Sequence, residues 1–111
     1  MAKTEYLYLE IAASLQSSIF KCGTAGERLK SIHKYAEIYN TTTATISNAI
    51  HFLEKRGIIE HHTYKGFYVC KDIMKKRDQY IQEITKDFLH EMDSIGYSRQ
   101  EVIQMIEMHI G

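Results

Sequence analysis

From Thr41 to Asn48 the chain reads TTTATISN, a run of short hydroxyl and amide side chains around one isoleucine. Placed at the start of a helix, Thr42, Thr43, Thr45, Ser47 and Asn48 can hydrogen-bond to base edges or to a phosphate, because free backbone N–H groups and the helix dipole already favour anions there. The plainer use of such residues is to cap and solvate the helix, and for Thr42 the cap is the expected role. Cations flank the run: Lys30 and Lys34 precede it, and Lys65 beside Gly66 follows it. They suit phosphate oxygens, with ordinary turn chemistry as the alternative at Lys65 and Gly66.

Other chemistries find less support. No pair among His33, His51, His61 and His62 has the i, i+4 spacing of a helical metal site, and neither Cys22 nor Cys70 has a Cys-x-x-Cys companion, so no metal is expected. His61 and His62 read as solvated strand or wing residues that add charge at lower pH. There is no glycine-rich phosphate loop and no local nucleophile signature around the cysteines, so neither an enzyme nor a cofactor is expected. Two lone cysteines suggest reduced thiols in a cytoplasmic protein.

The elements that must position these groups are legible in the periodicity. Ile32, Tyr35, Ala36 and Tyr39 recur at helical spacing behind Ser31, a capping residue, and predict a helix of two to three turns. Asn40 to Thr43 breaks it. Ile46, Ala49, Ile50 and Leu53 give a second apolar stripe on a helix over Thr42 to Arg56, with a polar face left to offer and Gly57 placed to end it in a left-handed conformation. Lys55 and Arg56 complement the dipole of its last turn. Ile58 and Ile59, then Phe67 to Cys70, predict two strands around a turn over His62 to Gly66. Tyr64, Phe67 and Tyr68 are able to stack on bases, although alternate residues of a short hairpin more often cover a core. Helix, polar turn, longer helix and hairpin are the elements of a winged helix-turn-helix.

Upstream, Leu7, Ile11, Ala12, Leu15 and Ile19 predict an amphipathic helix over about Tyr6 to Lys21 that packs under the two-helix unit, with Gly23 to Gly26 a loop and Glu27 to Leu29 a lead into Ser31. Downstream, a long helix is predicted over about Ile73 to Ile95. Its seam of Ile81, Ile84, Phe88, Met92 and Ile95 steps by three or four residues, spacing that keeps one stripe against a partner helix. Gly96 closes it. Ser98 and Glu101 form a capping box for a last helix over about Arg99 to His109, with Val102, Ile103, Ile106 and Ile110 inward. Met92, Met105 and Met108 suit core packing better than a ligand pocket.

The 111 residues carry 44% apolar content and no long apolar run, so one small domain with an extension is expected and a membrane span is not. The N-terminal MAKTEYLYLEIAASL, with Glu5 and Glu10 inside it, does not read as a signal peptide. Net charge is zero, but residues 1–70 hold eight Lys or Arg against six Asp or Glu and residues 71–111 hold six against eight. The surplus of positive charge lies, in a small way, in the half that carries the hydroxyl run. A core of this size is thin, and dimerisation is a natural way to enlarge it.

The string GERLKSIHKYAEIYNTTTATISNAIHFLEKRGIIEHHTYKGFYV, from Gly26 to Val69, resembles the DNA-binding domain of the GntR family of bacterial transcriptional regulators. YLEIAASLQSSI from Tyr8 resembles that family's first helix, and the tail from Arg77 through FLHEMDSIGYSRQEVIQMI is similar to the short two-helix arm of the YtrA subfamily. The resemblance implies a mostly α fold with a small β-hairpin: a winged helix-turn-helix DNA-binding domain over residues 1–71 and a helical dimerisation arm over residues 72–111. It implies a homodimeric repressor on an inverted-repeat operator in double-stranded DNA. It also implies DNA contact from Arg28, Lys30, Ser31, His33, Lys34, Thr42, Thr43, Thr45, Ser47, Asn48, Lys65 and Gly66, Thr45 above all. Dimer contact would come from Ile81, Ile84, Phe88, Met92, Ile95, Ile103 and Ile106.

About forty residues follow Cys70, too few for the large effector domain of other GntR branches, so a small-molecule effector would bind between the helical arms. The sequence departs from the family pattern where His33 and Thr43 replace arginines and where Ala25-Gly26 replaces Pro-Gly. Together with the zero net charge, those departures keep open a second reading, a winged-helix protein-interaction module with weak or lost DNA recognition.

Overall fold

The computed structural model describes residues 2–63 and 65–110, and side chains within 7–63 and 65–109. Tyr64 and the side chain of Ile110, both named above, therefore lie outside the described residues. Helix α1 spans Ala2–Cys22, α2 Ile32–Tyr39 and α3 Thr43–Lys55; strands β1 (Ile59–His62) and β2 (Gly66–Val69) follow, then α4 (Ile73–Ser94) and α5 (Arg99–Ile110). The order is the expected one, with α1 starting four residues earlier than its apolar stripe suggests. No helix among the described residues is long and apolar enough to cross a membrane. The chain divides into two units, Met1–Lys76 and Arg77–Gly111.

In the first unit α2 and α3 each start where a side chain accepts an orphan N–H. Ser31 Oγ accepts from Lys34 N at 3.1 Å, and Thr42 Oγ1 accepts from Thr45 N at 3.2 Å. α2 ends on Asn40, left-handed at φ 52°, whose N–H reaches the carbonyls of Ala36 and Glu37. α3 ends in a Schellman motif. The N–H of Gly57, at φ +76°, donates to Glu54 O and that of Ile58 to Leu53 O. Lys76 from the first turn of α4 donates to Gly57 O and lies where a side chain at position 57 would point, so glycine is required there for space as well as for φ.

The core is the stripe read from the sequence: Ile46, Ala49, Ile50 and Leu53 of α3 are fully buried with Ile11, Ala12, Leu15 and Ile19 of α1 and Tyr35 of α2. Ile58, Ile59, Val69, Cys70 and Ile73 complete it. The wing is an antiparallel hairpin in which Ile59 faces Val69 and His62 faces Gly66.

The segment at Glu27–Leu29, expected to be a connector, is a third strand in all but length. Val69 N donates to Glu27 O, Gly26 N to Val69 O and Leu29 N to Phe67 O, at 2.8–3.0 Å, and Arg28 bridges Tyr68. Its few residues and charged side chains gave no strand periodicity to read.

The second unit contains the rest of α4, α5 and their joint. Gly96 N and Tyr97 N close α4 on Asp93 O and Met92 O, again in the Schellman pattern. The expected capping box is present in both directions: Glu101 N donates to Ser98 Oγ and Ser98 N to Glu101 Oε1. Val102 is buried. Met92 is half-buried, whereas Ile81, Ile84, Phe88, Ile95, Ile103 and Ile106 are exposed, from 42% at Phe88 to 66% at Ile95. Ile103 and Ile106 thus do not turn inward within one chain.

Two substitutions check this account by urea unfolding. Leu53→Ala opens a cavity where α1 and α3 meet and lowers stability by about 2–5 kcal/mol. Thr42→Ala removes the cap of α3 and lowers it by about 1 kcal/mol, while Thr42→Asp, which retains an acceptor, recovers most of that loss.

Candidate nucleic-acid interface

Because α3 commits one stripe to the core, its opposite side is set. Thr43, Asn48, His51 and Lys55 are exposed and Ser47 is half-buried. Asn48, His51 and Lys55 follow one another by three and four residues and flank a shallow recess with Tyr8 and Phe52. His51 and Lys55 were not among the site residues expected from the sequence; their spacing from Asn48 is the signal that would have found them. His51 Nδ1 lies 2.9 Å from Glu54 Oε1, which steadies the ring on the exposed face. Arg56 is committed elsewhere, with its guanidinium 4.6 Å over the Phe52 ring and bonded to Gln16 Oε1.

Thr42 and Thr45 divide the N-terminal turn between them. Thr42 is exposed and is the cap, as expected. Thr45 is only 8% exposed, and its hydroxyl is 2.9 Å from Thr42 Oγ1. Expected as a principal contact, Thr45 instead faces inward and shapes the turn, because position N3 of this helix falls at the edge of the buried stripe. Among its neighbours, Ser31 is the cap of α2, and Lys30, His33 and Lys34 are exposed. Lys34 lies 3.7 Å from Glu37 in a solvent-exposed pair, too weak to withhold the ammonium from a phosphate.

The wing is tied to this helix by rings. Phe67 stacks on His61 with centroids 4.7 Å apart and meets His51 of α3 edge-on at 6.2 Å. His62 stacks on Tyr68 at 4.6 Å and lies 3.3 Å from Glu60. The two wing histidines lie on β1 open to solvent, as expected, and each also stacks on a ring of the facing strand, His61 on Phe67 and His62 on Tyr68.

At the tip, Lys65 N donates to His62 O and Tyr68 Oη donates to Lys65 O, which holds exposed Lys65 in place. Gly66 takes φ +100°, and the Arg28 guanidinium lies alongside it, Nε and Nη2 both 3.6 Å from where a Cβ would stand. The third strand thereby delivers a second cation to the wing tip, with the Arg28 guanidinium beside Gly66, the residue next to Lys65, although the two cations are far apart in sequence.

The thiols differ in access. Cys22 is exposed, whereas Cys70 is buried, and burial first, then its hydrogen bond to Asp72, pushes its thiol up from the usual range.

No protein-family model and no curated protein sequence matches the chain. Solved structures do. A GntR family transcriptional regulator from Listeria monocytogenes is 23% identical, with a TM-score of 0.77 over 92% of this chain and 93% of that one. A transcriptional regulator from Oenococcus oeni is 16% identical, with a TM-score of 0.73 over 95% and 91%. YtrA from Sulfolobus acidocaldarius, a GntR-family transcription factor, is 20% identical, with a TM-score of 0.52 over 93% and 86%. Over more than nine-tenths of its length, the chain has the fold of a GntR family transcriptional regulator, with the winged helix-turn-helix in its first unit.

Proposed function

We propose that the protein is a cytoplasmic DNA-binding transcription regulator of the GntR family, of the YtrA type, acting as a homodimeric repressor on an inverted-repeat operator. The observation that carries the reading is the free polar face of α3, capped at its N-terminus and joined through Phe67 to a wing with two cations at its tip. In such an arrangement α3 enters the major groove. Thr43, Ser47, Asn48 and His51 meet base edges, and Lys55 meets the backbone. Arg28 and Lys65 bring the wing to phosphate, and Lys30, His33 and Lys34 approach it from the start of α2, with Ser31 and Thr42 offering hydroxyls and backbone N–H groups.

The exposed isoleucines and Phe88 of the second unit support self-association. Each such side chain gains about 1.5–3 kcal/mol when taken out of water, and single chains rarely leave so many of them wet. The dimer would then set two copies of α3 at half-sites about one DNA turn, or a multiple of it, apart. The competing reading, a protein-interaction module, draws on the zero net charge and on Thr43 standing where the family pattern has an arginine.

Fluorescence anisotropy separates the two. Duplexes from upstream of the protein's own gene should bind selectively over scrambled duplexes at near-physiological salt; equal binding, or none, favours the interaction module. Lys65→Ala and Arg28→Ala should weaken specific and scrambled DNA alike and reduce the salt slope by about one each. Asn48→Ala should instead reduce selectivity. In sedimentation, Phe88→Glu should give a monomer with a folded winged domain, and an unaltered dimer would remove the arm from the proposal.

A further inference from the structure

Within the first unit, between the end of α1, the third strand and α2, lies a cavity of about 300 Å³. That volume is at the small end of ligand sites. Its floor is aliphatic, formed by Leu15 and Ile19 of α1 with Leu29 and Val69 of the sheet, and Ile38 stands at its edge 53% exposed.

One polar group in its wall is not used up by the fold. Tyr35 is 92% buried, and its phenol oxygen accepts a long hydrogen bond, 3.4 Å, from Lys30 N; among the described residues its own proton has no acceptor. The neighbouring phenol of Tyr39 is already paired with Ser14 Oγ at 3.0 Å. Burial raises the Tyr35 hydroxyl above the ordinary tyrosine range, so it remains a donor. Of the charged groups in the wall, the Glu27 carboxylate accepts from Thr24 N and keeps its negative charge, which acts on the Tyr35 hydroxyl, while Lys30 and Arg28 have no ion pair among the described residues.

An apolar floor, one free buried donor and two cations against the one Glu27 carboxylate in the lining match an apolar body carrying a single acceptor anion. We infer that this cavity binds a small amphipathic carboxylate, with its body over Leu15, Ile19 and Val69 and its carboxylate accepting from Tyr35 Oη beside Lys30. The inference builds on the proposed DNA contacts, since Lys30 would serve either the carboxylate or a phosphate. Ligand and DNA then oppose one another, and by linkage each weakens the other by the same factor. The site lies inside the DNA-binding unit, apart from the arms in which an effector was expected.

Cys22 lies on the rim and is exposed while Cys70 is buried, so disulfide tethering on the full chain reads the cavity without DNA. The probes are mixed disulfides of short thiols bearing aryl or branched alkyl carboxylates, each paired with its carboxamide twin, exchanged with Cys22 under partial reduction and counted by intact mass spectrometry. Carboxylates should be captured over their amide twins by about tenfold, the worth of one charged hydrogen bond; Lys30→Met should abolish that preference, and Tyr35→Phe, which removes a donor to either acceptor, should lower the capture of both twins.

Equal capture of the twins, a preference that survives Lys30→Met, or capture unchanged by Tyr35→Phe overturns the site. If Tyr35→Phe is poorly folded by circular dichroism, Lys30→Met alone decides, with loss of preference upholding the site and retention rejecting it. The tethered protein should bind duplex DNA about tenfold more weakly; unchanged affinity overturns the antagonism. A protein that shows the carboxylate preference and binds no duplex upholds the site and rejects the proposed function instead.

Discussion

A single helix of thirteen residues has to bury one side completely and keep the other wet, and the rest of the winged unit depends on that constraint. Ile46, Ala49, Ile50 and Leu53 have essentially no exposure, which fixes the rotation of α3 about its own axis. Once that rotation is fixed, Asn48, His51 and Lys55 have nowhere to go but outward. So short a helix is marginal by itself in water, which gives its two ends their importance. Thr42 closes the first turn, and Gly57 with Lys76 closes the last. A surface that reads another molecule needs side chains that do not move about, and here the stiffness comes from the core stripe and the caps together.

The wing extends the same logic sideways. A two-stranded hairpin is weak alone. Here it gains a third partner at Glu27–Leu29 and an aromatic tie to α3 through Phe67. The third strand also anchors the segment that enters α2: Arg28 and Leu29 are held by the sheet, and Lys30 and Ser31 follow them directly into the helix. Because that segment must span from the end of α1 to the sheet and then turn into α2, it leaves a gap that the surrounding side chains do not fill, with Tyr35 at its wall. Local positive charge arises from this geometry in a chain with no net charge: Arg28 and Lys65 converge at the tip although 37 positions separate them in the sequence.

The second unit shows how one residue type reads differently by place. Isoleucines on α1 and α3 vanish into the core, while Ile81 and Ile84 of α4 and Ile103 and Ile106 of α5 stay exposed in a single chain with equally regular spacing. Spacing says that a face will be buried; it does not say by which molecule.

The helices, their stop signals and the core stripe were legible because each depends on residues within about four positions of one another. Ser31 and Thr42 as caps, Gly57 as a terminator and the Ser98–Glu101 box are local hydrogen-bonding problems with local solutions. What the tertiary structure alone decided is what joins distant segments: the strand at Arg28 against Tyr68, the guanidinium beside Gly66, His51 against Phe67, and the cavity walled by α1, α2 and the sheet. Thr45 marks the boundary between the two kinds of information. Its hydroxyl suited contact with a partner as well as it suited the turn, and only the packing of α3 against α2 and α1 turned it inward, since burial is settled by what lies opposite a residue and not by its type or spacing.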